Sequence, residues 1–565
     1  MKNMKIKNSI TGLLLLVVFT ACDNLNYQEV TTKDETWMYE SPLYGIQKLV
    51  DDLYAHVQYD FGTYSGAMLA SASDESDYAR LLSDVHKYYD GGLSSFSPIV
   101  NPTWTNSYQA IAQANEFLEK LDKISLDEYL YNRAGQTGYE YLKEKFEMFP
   151  YEVRFLRAYF FFELAKTYGD VPLVTKTLSN SEANSVTRTP VQEVFKYIVD
   201  ECDAIAEHLP ISHIDTRAQQ TGRASRPMAL ALKARTLLYA ASPLFNTNND
   251  KELWRQAAAA GKAVIDRAAG WGIILGDYSA LWGNDNHRNA EMIFIRRTGS
   301  NNFFEQYNFP IGVENGNSGN CPTQNLVDAY EYQANGKTWR ELEAAGQLPA
   351  NPYEGLDPRF ELTVVKNGDK WPNYETALIE TFEGGRNASP LLNATPTGYY
   401  LKKYADGSAD IRTNNPTTKY HTWIIFRLSE LYLNYAEAVY NYLGSADAKS
   451  AEFTLSANEA INVLRDRADI QMPHFTGNAN FVERYQRERM VELAFEDHRF
   501  WDVRRWKKGA EFFTQIYSMK LTKSGNNIVY TRQSKNRLWN ERNNFYPIPF
   551  AETKINPNLT QNPGW

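Results

Sequence analysis

Apolar positions recur along this chain at alternating intervals of four and three, the spacing of one face of an α-helix. Val191, Phe195, Ile198, Cys202, Ile205 and Leu209 make one such stripe. Pro210 closes it, and Thr189-Pro190-Val191-Gln192 opens it as a capping box with proline at the first helical position. Residues 151–168 are apolar nearly all round (Phe155, Leu156, Tyr159, Phe160, Phe161, Phe162, Leu164), so this helix is expected to be an inner one, covered on two sides. It should end at Gly169, with Pro172 just beyond. Residues 227–241 are rich in Ala and Leu, which permits close helix–helix approach, and Ser242-Pro243 terminates them. Residues 428–442 continue the pattern, as do residues 460–468 behind a second capping box, Ser456-Ala457-Asn458-Glu459.

These helices come in pairs separated by turns. Their small and aromatic positions resemble tetratricopeptide-type hairpins, without a regular period of about 34 residues. The expected fold is mainly α, a scaffold of stacked helical hairpins over about 40–265 and 420–565 that buries a continuous core between neighbours. Residues 270–415 differ. They are rich in Asn, Gly and Pro, with loops at 312–320 and 383–389 and short strands at 292–296 and 398–402. Loops on a rigid scaffold are where binding residues concentrate, so this irregular half is where a ligand site is expected.

The first residues add a location. Lys2, Lys5 and Lys7 precede an apolar run at 13–19, then Phe19-Thr20-Ala21-Cys22. That is a secretory signal too short to span a bilayer. Its end resembles a bacterial lipobox, with Phe19 where Leu is usual, so residues 1–21 are expected to be removed and Cys22 lipidated. Two or more acyl chains at that terminus would hold the protein stably on a membrane. No later apolar run approaches the roughly 18 residues of a membrane helix, and mean hydropathy is −0.51.

Composition narrows the function. A net charge of −9 without a basic stripe argues against nucleic acid as the main partner. Aromatic residues reach 14%, with 37 Tyr, and Tyr suits wet surfaces that bind polar ligands. With Cys22 lipidated, Cys202 and Cys321 remain, too few for a disulfide framework. Cys202, on an apolar stripe, reads as a buried inert thiol. The eight histidines have no ligand spacing, and no G-x-S-x-G or phosphate-cradling loop occurs, so no metal or cofactor is expected. Glu488, Glu492 and Glu496 share one helix face near His498, as acid/base groups could. Arg489, Arg499, Arg504 and Arg505 are interleaved with them, and paired ions locking helices together are the simpler account.

That tract also carries a family resemblance. Glu488-Arg489, Glu492-Leu493, Phe495-Glu496, Arg499, Asp502 and Arg505-Trp506 resemble the pattern of the SusD/RagB family of bacterial surface lipoproteins. Leu156-Arg157-Ala158-Tyr159, Tyr168-Gly169-Asp170-Val171-Pro172, Pro322-Thr323-Gln324, Asp357-Pro358-Arg359, Arg427-Leu428, Tyr546-Pro547-Ile548-Pro549 and the ending Gln561-Asn562-Pro563-Gly564-Trp565 follow in the family's order. The resemblance covers nearly the whole mature chain, residues 22–565, as one SusD-like domain. It implies four tetratricopeptide-like units and a loop-rich half. It also implies a lipid-anchored protein on the outer face of the outer membrane, binding an oligosaccharide or polysaccharide as partner of a SusC-like TonB-dependent transporter.

Sugars present C–H faces and many hydroxyls, so they call for exposed aromatic platforms flanked by Asp, Asn and Arg. The resemblance points to the loop after the first helix and the loop before Pro322. The first offers Asp74, Asp77, Tyr78 and Arg80, with Phe96 further on; the second offers Phe303, Phe304 and Tyr307. Trp339 and Trp371, set among Asn, Gly and Lys, are expected to be exposed, whereas Trp104, Trp282 and Trp506 are expected to be packing residues. Two other classes stay open: a glycoside hydrolase, which needs two carboxylates about 5–10 Å apart in a cleft, and a peptide- or protein-binding uptake lipoprotein of the same family.

Overall fold

The computed structural model describes residues 45–123, 126, 135–213, 220–283, 286–371 and 377–565. Cys22 and the leader lie outside the described residues. The chain divides into two compact units, Met1–Leu49 with Lys120–Lys143 and Val50–Glu119 with Glu144–Trp565. The second holds nearly all of the described residues.

Its frame is helical. Val191–Ala206 packs on Arg226–Ala241, which packs on Lys251–Ala268; that helix packs on Leu428–Leu443, and this one on Ala457–Arg465. The array is continuous in space although residues 269–427 interrupt it in sequence. Apolar stripes explain the contacts: Phe195, Ile198, Cys202 and Ile205 are all buried, and nearly the whole of Arg226–Ala241 is buried between its two neighbours. The inner helix is Gly135–Tyr168, longer at its start than the pattern suggests, with Phe155, Leu156, Phe160, Phe161, Phe162 and Leu164 fully covered. Gly169 ends it at φ +74°.

The capping box at Ser456 forms as expected, with Glu459 closing it. The one at Thr189 does not. Pro190 occupies the N-cap position, and the first free N–H, that of Val191, donates to the Asp170 carboxylate at 2.8 Å. Gln192 turns inward instead and donates to the carbonyls of Ala240 and Phe245. A cap from a neighbouring loop replaces the local one, because Pro190 is extended, the Thr189 N–H already donates to the Val171 carbonyl at 2.9 Å, and Gln192 is engaged across the helix pair.

The strands pair as antiparallel ladders of two: Ser76–Tyr78 with Asn320–Pro322, Met292–Arg297 with Thr422–Arg427, Val364–Val365 with Tyr400–Leu401, and the hairpin Gln515–Ser524 with Asn527–Asn536. Each joins segments distant in sequence, except the hairpin. The first two tie the loop-rich half to the scaffold.

The charged tract is an ion-pair core. Arg359 reaches Glu488 and Glu492 at 2.7 and 2.8 Å, Arg467 reaches Glu291, and Arg489 and Arg505 share Asp502. All of these side chains are buried. The glutamates are therefore structural, and against the opposing effect of burial Arg467, Arg427 and Arg359 hold Glu492 well below the usual carboxylate range.

Glu75 behaves in the opposite sense. It is 1% exposed and accepts the Phe495 N–H at 2.8 Å. Burial pushes its carboxyl up to about 8. Its folded pKa lies above the unfolded value, so the native state holds the extra proton. The stability this contributes is full below the unfolded pKa of about 4 and is lost as pH rises through the folded one. Glu75→Gln, which keeps the shape without the charge, should flatten the fall in melting temperature between about pH 4 and about pH 8. Equal slopes in thermal melts of the two proteins would exonerate Glu75.

Candidate functional site

A cleft of about 790 Å³ opens in the large unit. The loop after helix Gln47–Ala55 forms its rim with Tyr59, Asp60, Thr63 and Tyr64. Helix Asn101–Glu119 contributes Thr103, Asn106 and Gln109, spaced by three so that they share a face. The inner helix presents Tyr159, Glu163 and Lys166 at i, i+4 and i+7. Arg296 and Trp423 come from opposite strands of one ladder, where they are Cα partners. Asp497 and Trp501 arrive from the charged tract.

Glu163 pairs with Lys166 at 2.8 Å, and the Lys166 ammonium sits 4.5 Å over the Trp501 ring. Asp497 adopts φ +62°. It accepts the Trp501 indole N–H at 3.3 Å through one oxygen, while its other oxygen is buried with no partner. Burial pushes its carboxyl to about 7 against the pull of Lys166. Asp60, likewise raised by burial to about 6, accepts the backbone N–H groups of Leu69 and Thr63. Aromatic faces beside hydroxyls, amides and carboxyls suit a polar ligand with apolar ring faces, and the volume lies within the usual range of about 300–1,000 Å³.

None of the ten glycan-site residues expected from sequence lines this cleft. Some do meet beside it. The Arg80 guanidinium lies 5.7 Å over the Tyr307 ring, and the Tyr78 hydroxyl donates to the Ser65 carbonyl of the rim loop. Gly66, at φ +92°, makes this possible: a Cβ there would fall 2.5 Å from the Tyr78 hydroxyl and 2.6 Å from the Tyr307 ring. Phe303 is exposed near this cluster's helix start, and exposed Phe96 stacks on Phe550 at 4.2 Å.

The remaining expectations need correction. Asp74 is buried in a pair with Arg499, and Asp77 is buried against Arg537 and Lys535, so both carboxylates are spent inside the fold. Tyr78 is buried, and Phe304 packs in an aromatic cluster with Phe61, Tyr404 and His421. Trp339 and Trp371 are not exposed: they are 2% and 3% accessible, the first against Tyr353 and the second against Phe309. Trp104, as expected, packs edge-on to Tyr168. The signal for the cleft itself is Glu163 and Lys166: two charges inside the otherwise uncharged residues 158–168 mark a helix face that is buried yet polar.

The class defined by the fold and the cleft is a helical-hairpin scaffold carrying a loop-rimmed cleft of aromatic and polar side chains. Residues 283–565, half of the chain, match the model of the SusD family, and residues 33–238 match a second model described as starch-binding, associating with the outer membrane. The chain belongs to the SusD family. It is 24% identical to SusD-like protein P2 of Formosa agariphila over 90% of this chain and 92% of that one. It is 23% identical to the starch-binding protein SusD of Bacteroides thetaiotaomicron over 77% and 75%. Among solved structures it is similar to a SusD-like protein from Bacteroides fragilis, with a TM-score of 0.76, 25% identity and coverage of 94% and 98%. A laminarin-binding SusD-like protein shares the fold at a TM-score of 0.62, with 23% identity and coverage of 94% and 100%. The family is a carbohydrate-binding family rather than an enzyme family, and it is associated with the outer membrane.

Proposed function

We propose that this protein is a surface lipoprotein that captures oligosaccharide or polysaccharide at the outer membrane and delivers it, uncleaved, to a SusC-like TonB-dependent transporter. The observation that carries the reading is the cleft: oligosaccharide-sized, lined by aromatic and polar side chains, and set in a scaffold of a carbohydrate-binding family. The ligand lies against Tyr59 and Trp423, with the Arg80–Tyr307 surface extending the site beyond the rim loop. Non-catalytic capture is supported by the state of the acids. Asp60 is committed to backbone N–H groups, Glu163 to Lys166 and Glu496 to Arg427, so Asp497 is the one described acid of the cleft that keeps an unpartnered oxygen.

Native affinity electrophoresis against starch, laminarin, polygalacturonate, alginate and chondroitin sulfate tests it. Retardation by at least one polysaccharide without release of shorter sugars is the expected result. No retardation by any of them, or capture of a peptide mixture in its place, overturns the reading.

The anchor is tested separately. Signal removal after residue 21 makes Cys22 the lipidated N-terminus of a single mature domain, so Cys22→Ala should move the protein from the membrane to the soluble fraction. Labelled palmitate should enter the wild type alone. A variant that stays on the membrane shows that something else holds it.

A further inference from the structure

We propose that the cleft selects an anionic glycan, one bearing uronate carboxylates or sulfate esters, and that Arg296 is the residue that recognises the charge. This rests on the cleft being the glycan site argued above.

Arg296 stands on the strand Met292–Arg297 opposite Trp423, and both line the cleft. Its guanidinium lies 4.4 Å from the centre of the Tyr59 ring, which is 40% exposed at the rim. Stacking on a ring fixes the plane of the fork and leaves its N–H edges directed outward, the arrangement that grips a planar carboxylate or a sulfate. Among the described residues the Arg296 side chain has the Tyr59 ring as its contact and no hydrogen bond or ion pair with the protein. Burial pulls its pKa below the ordinary value, and only the phenols of Tyr59 and Tyr159 oppose that.

The other cations of the cleft are engaged: Lys166 by Glu163 at 2.8 Å, Arg235 by Glu430 at 2.5 Å and Arg489 by Asp502 at 2.6 Å. The acids are answered too. Asp84 pairs with Lys87, Glu163 with Lys166 and Glu496 with Arg427, and Asp60 is capped by backbone N–H groups. Asp497, its carboxyl pushed up to about 7 by burial, is half-charged at pH 7 and mostly neutral below about pH 6. In that lower range the unanswered charge in this cleft is positive. A partly desolvated guanidinium without a counter-charge is costly to keep, and a ligand anion supplies the missing half through charge-assisted, two-pronged hydrogen bonds. A neutral sugar would leave it unmatched.

The same five-polysaccharide gels, run with wild type, Arg296→Gln and Arg296→Lys, decide the matter. Acidic polymers should retard the wild type, and the glutamine variant should bind them about 10- to 100-fold more weakly, the loss expected for one charged hydrogen-bonded contact. Lysine should recover part of that loss. Carboxyl-reduced polygalacturonate and desulfated chondroitin should lose binding to the wild type according to which anion is read; these arms need no variant, so they stand even if a substitution harms folding. Retardation by starch or laminarin alone overturns the anionic selection and leaves glycan capture intact. Undiminished binding by Arg296→Gln, with an unchanged melting temperature, overturns the role of Arg296. No retardation by any polymer overturns capture itself.

Discussion

Arg427→Met should cost the fold about 3–5 kcal/mol, a large share of the roughly 5–15 kcal/mol by which proteins are stable. Arg427 is 1% exposed. Its guanidinium donates to Glu496 at 2.8 Å, to Glu291 at 2.8 Å and to Glu492 at 2.7 Å, and to the backbone carbonyl of Glu492. Those three carboxylates come from the strand start at Glu291 and from the charged tract, so one side chain joins the loop-rich half to the scaffold. Methionine fills similar space but leaves the acids short of one positive charge, although Arg359, Arg467 and Lys403 still attend them.

The cost is the uncompensated charge, more than the lost hydrogen bonds. The pH dependence distinguishes the two. Glu492 and Glu496 have depressed folded pKa values, so their contribution is present above the unfolded pKa of about 4 and is lost as pH falls through the folded one. In the variant their pKa values rise, the acids protonate earlier, and the stability gap to wild type should narrow as pH falls toward about 4. Urea titrations at neutral and acid pH measure it. A loss under about 1 kcal/mol at neutral pH, or a gap that does not narrow, would show that the remaining cations carry the network.

Where periodicity is strong the fold was legible. The stripe Val191 to Leu209, the apolar residues 151–168 and the alanine-rich helix all form and pack against one another, because burying a continuous face decides their packing. The interleaved Arg and Glu of 487–506 were legible as structure, since alternating charges within an apolar neighbourhood must pair. The cleft was legible only in part: of the irregular residues 270–415, where the site was expected, Arg296 alone lines it among the described residues, and the scaffold segments supply the rest. The loop after the first helix does form its rim, but through Tyr59 to Tyr64 rather than Asp74 to Arg80. Asp74 and Asp77 carry the same local signature as exposed ligand-binding acids; what buries them are Arg499 and Arg537, more than 400 residues away in sequence. Cross-chain pairing of that kind leaves no periodic trace.

Trp339→Ala should destabilise the protein by about 3–5 kcal/mol while leaving glycan binding intact, the reverse of what its polar sequence surroundings suggest. Asn335, Gly336 and Lys337 precede it, and they form a turn whose Gly336 N–H donates to the Tyr332 carbonyl. Thr338 then caps the short helix Trp339–Ala344, with Glu341 closing the capping box. That cap sets the helix start so that the indole points inward. The polar run is thus turn and cap, and the first helical residue is core. The ring, 2% exposed, meets Tyr353 edge-on at 5.4 Å, and Tyr353 in turn stacks on Phe360 and shares a 3.0 Å hydroxyl contact with Tyr399. Removing the indole opens a cavity beneath three aromatic rings that are tied to one another and cannot all collapse into it, which places the cost in the upper part of the large-to-small range. Trp339 does not line the cleft, so whatever polysaccharide retards the wild type should retard the variant equally below its lowered melting temperature. Thermal melts beside affinity gels separate the outcomes: an unchanged melt with lost retardation would mean that Trp339 is a binding platform after all and that its burial against Tyr353 is wrong.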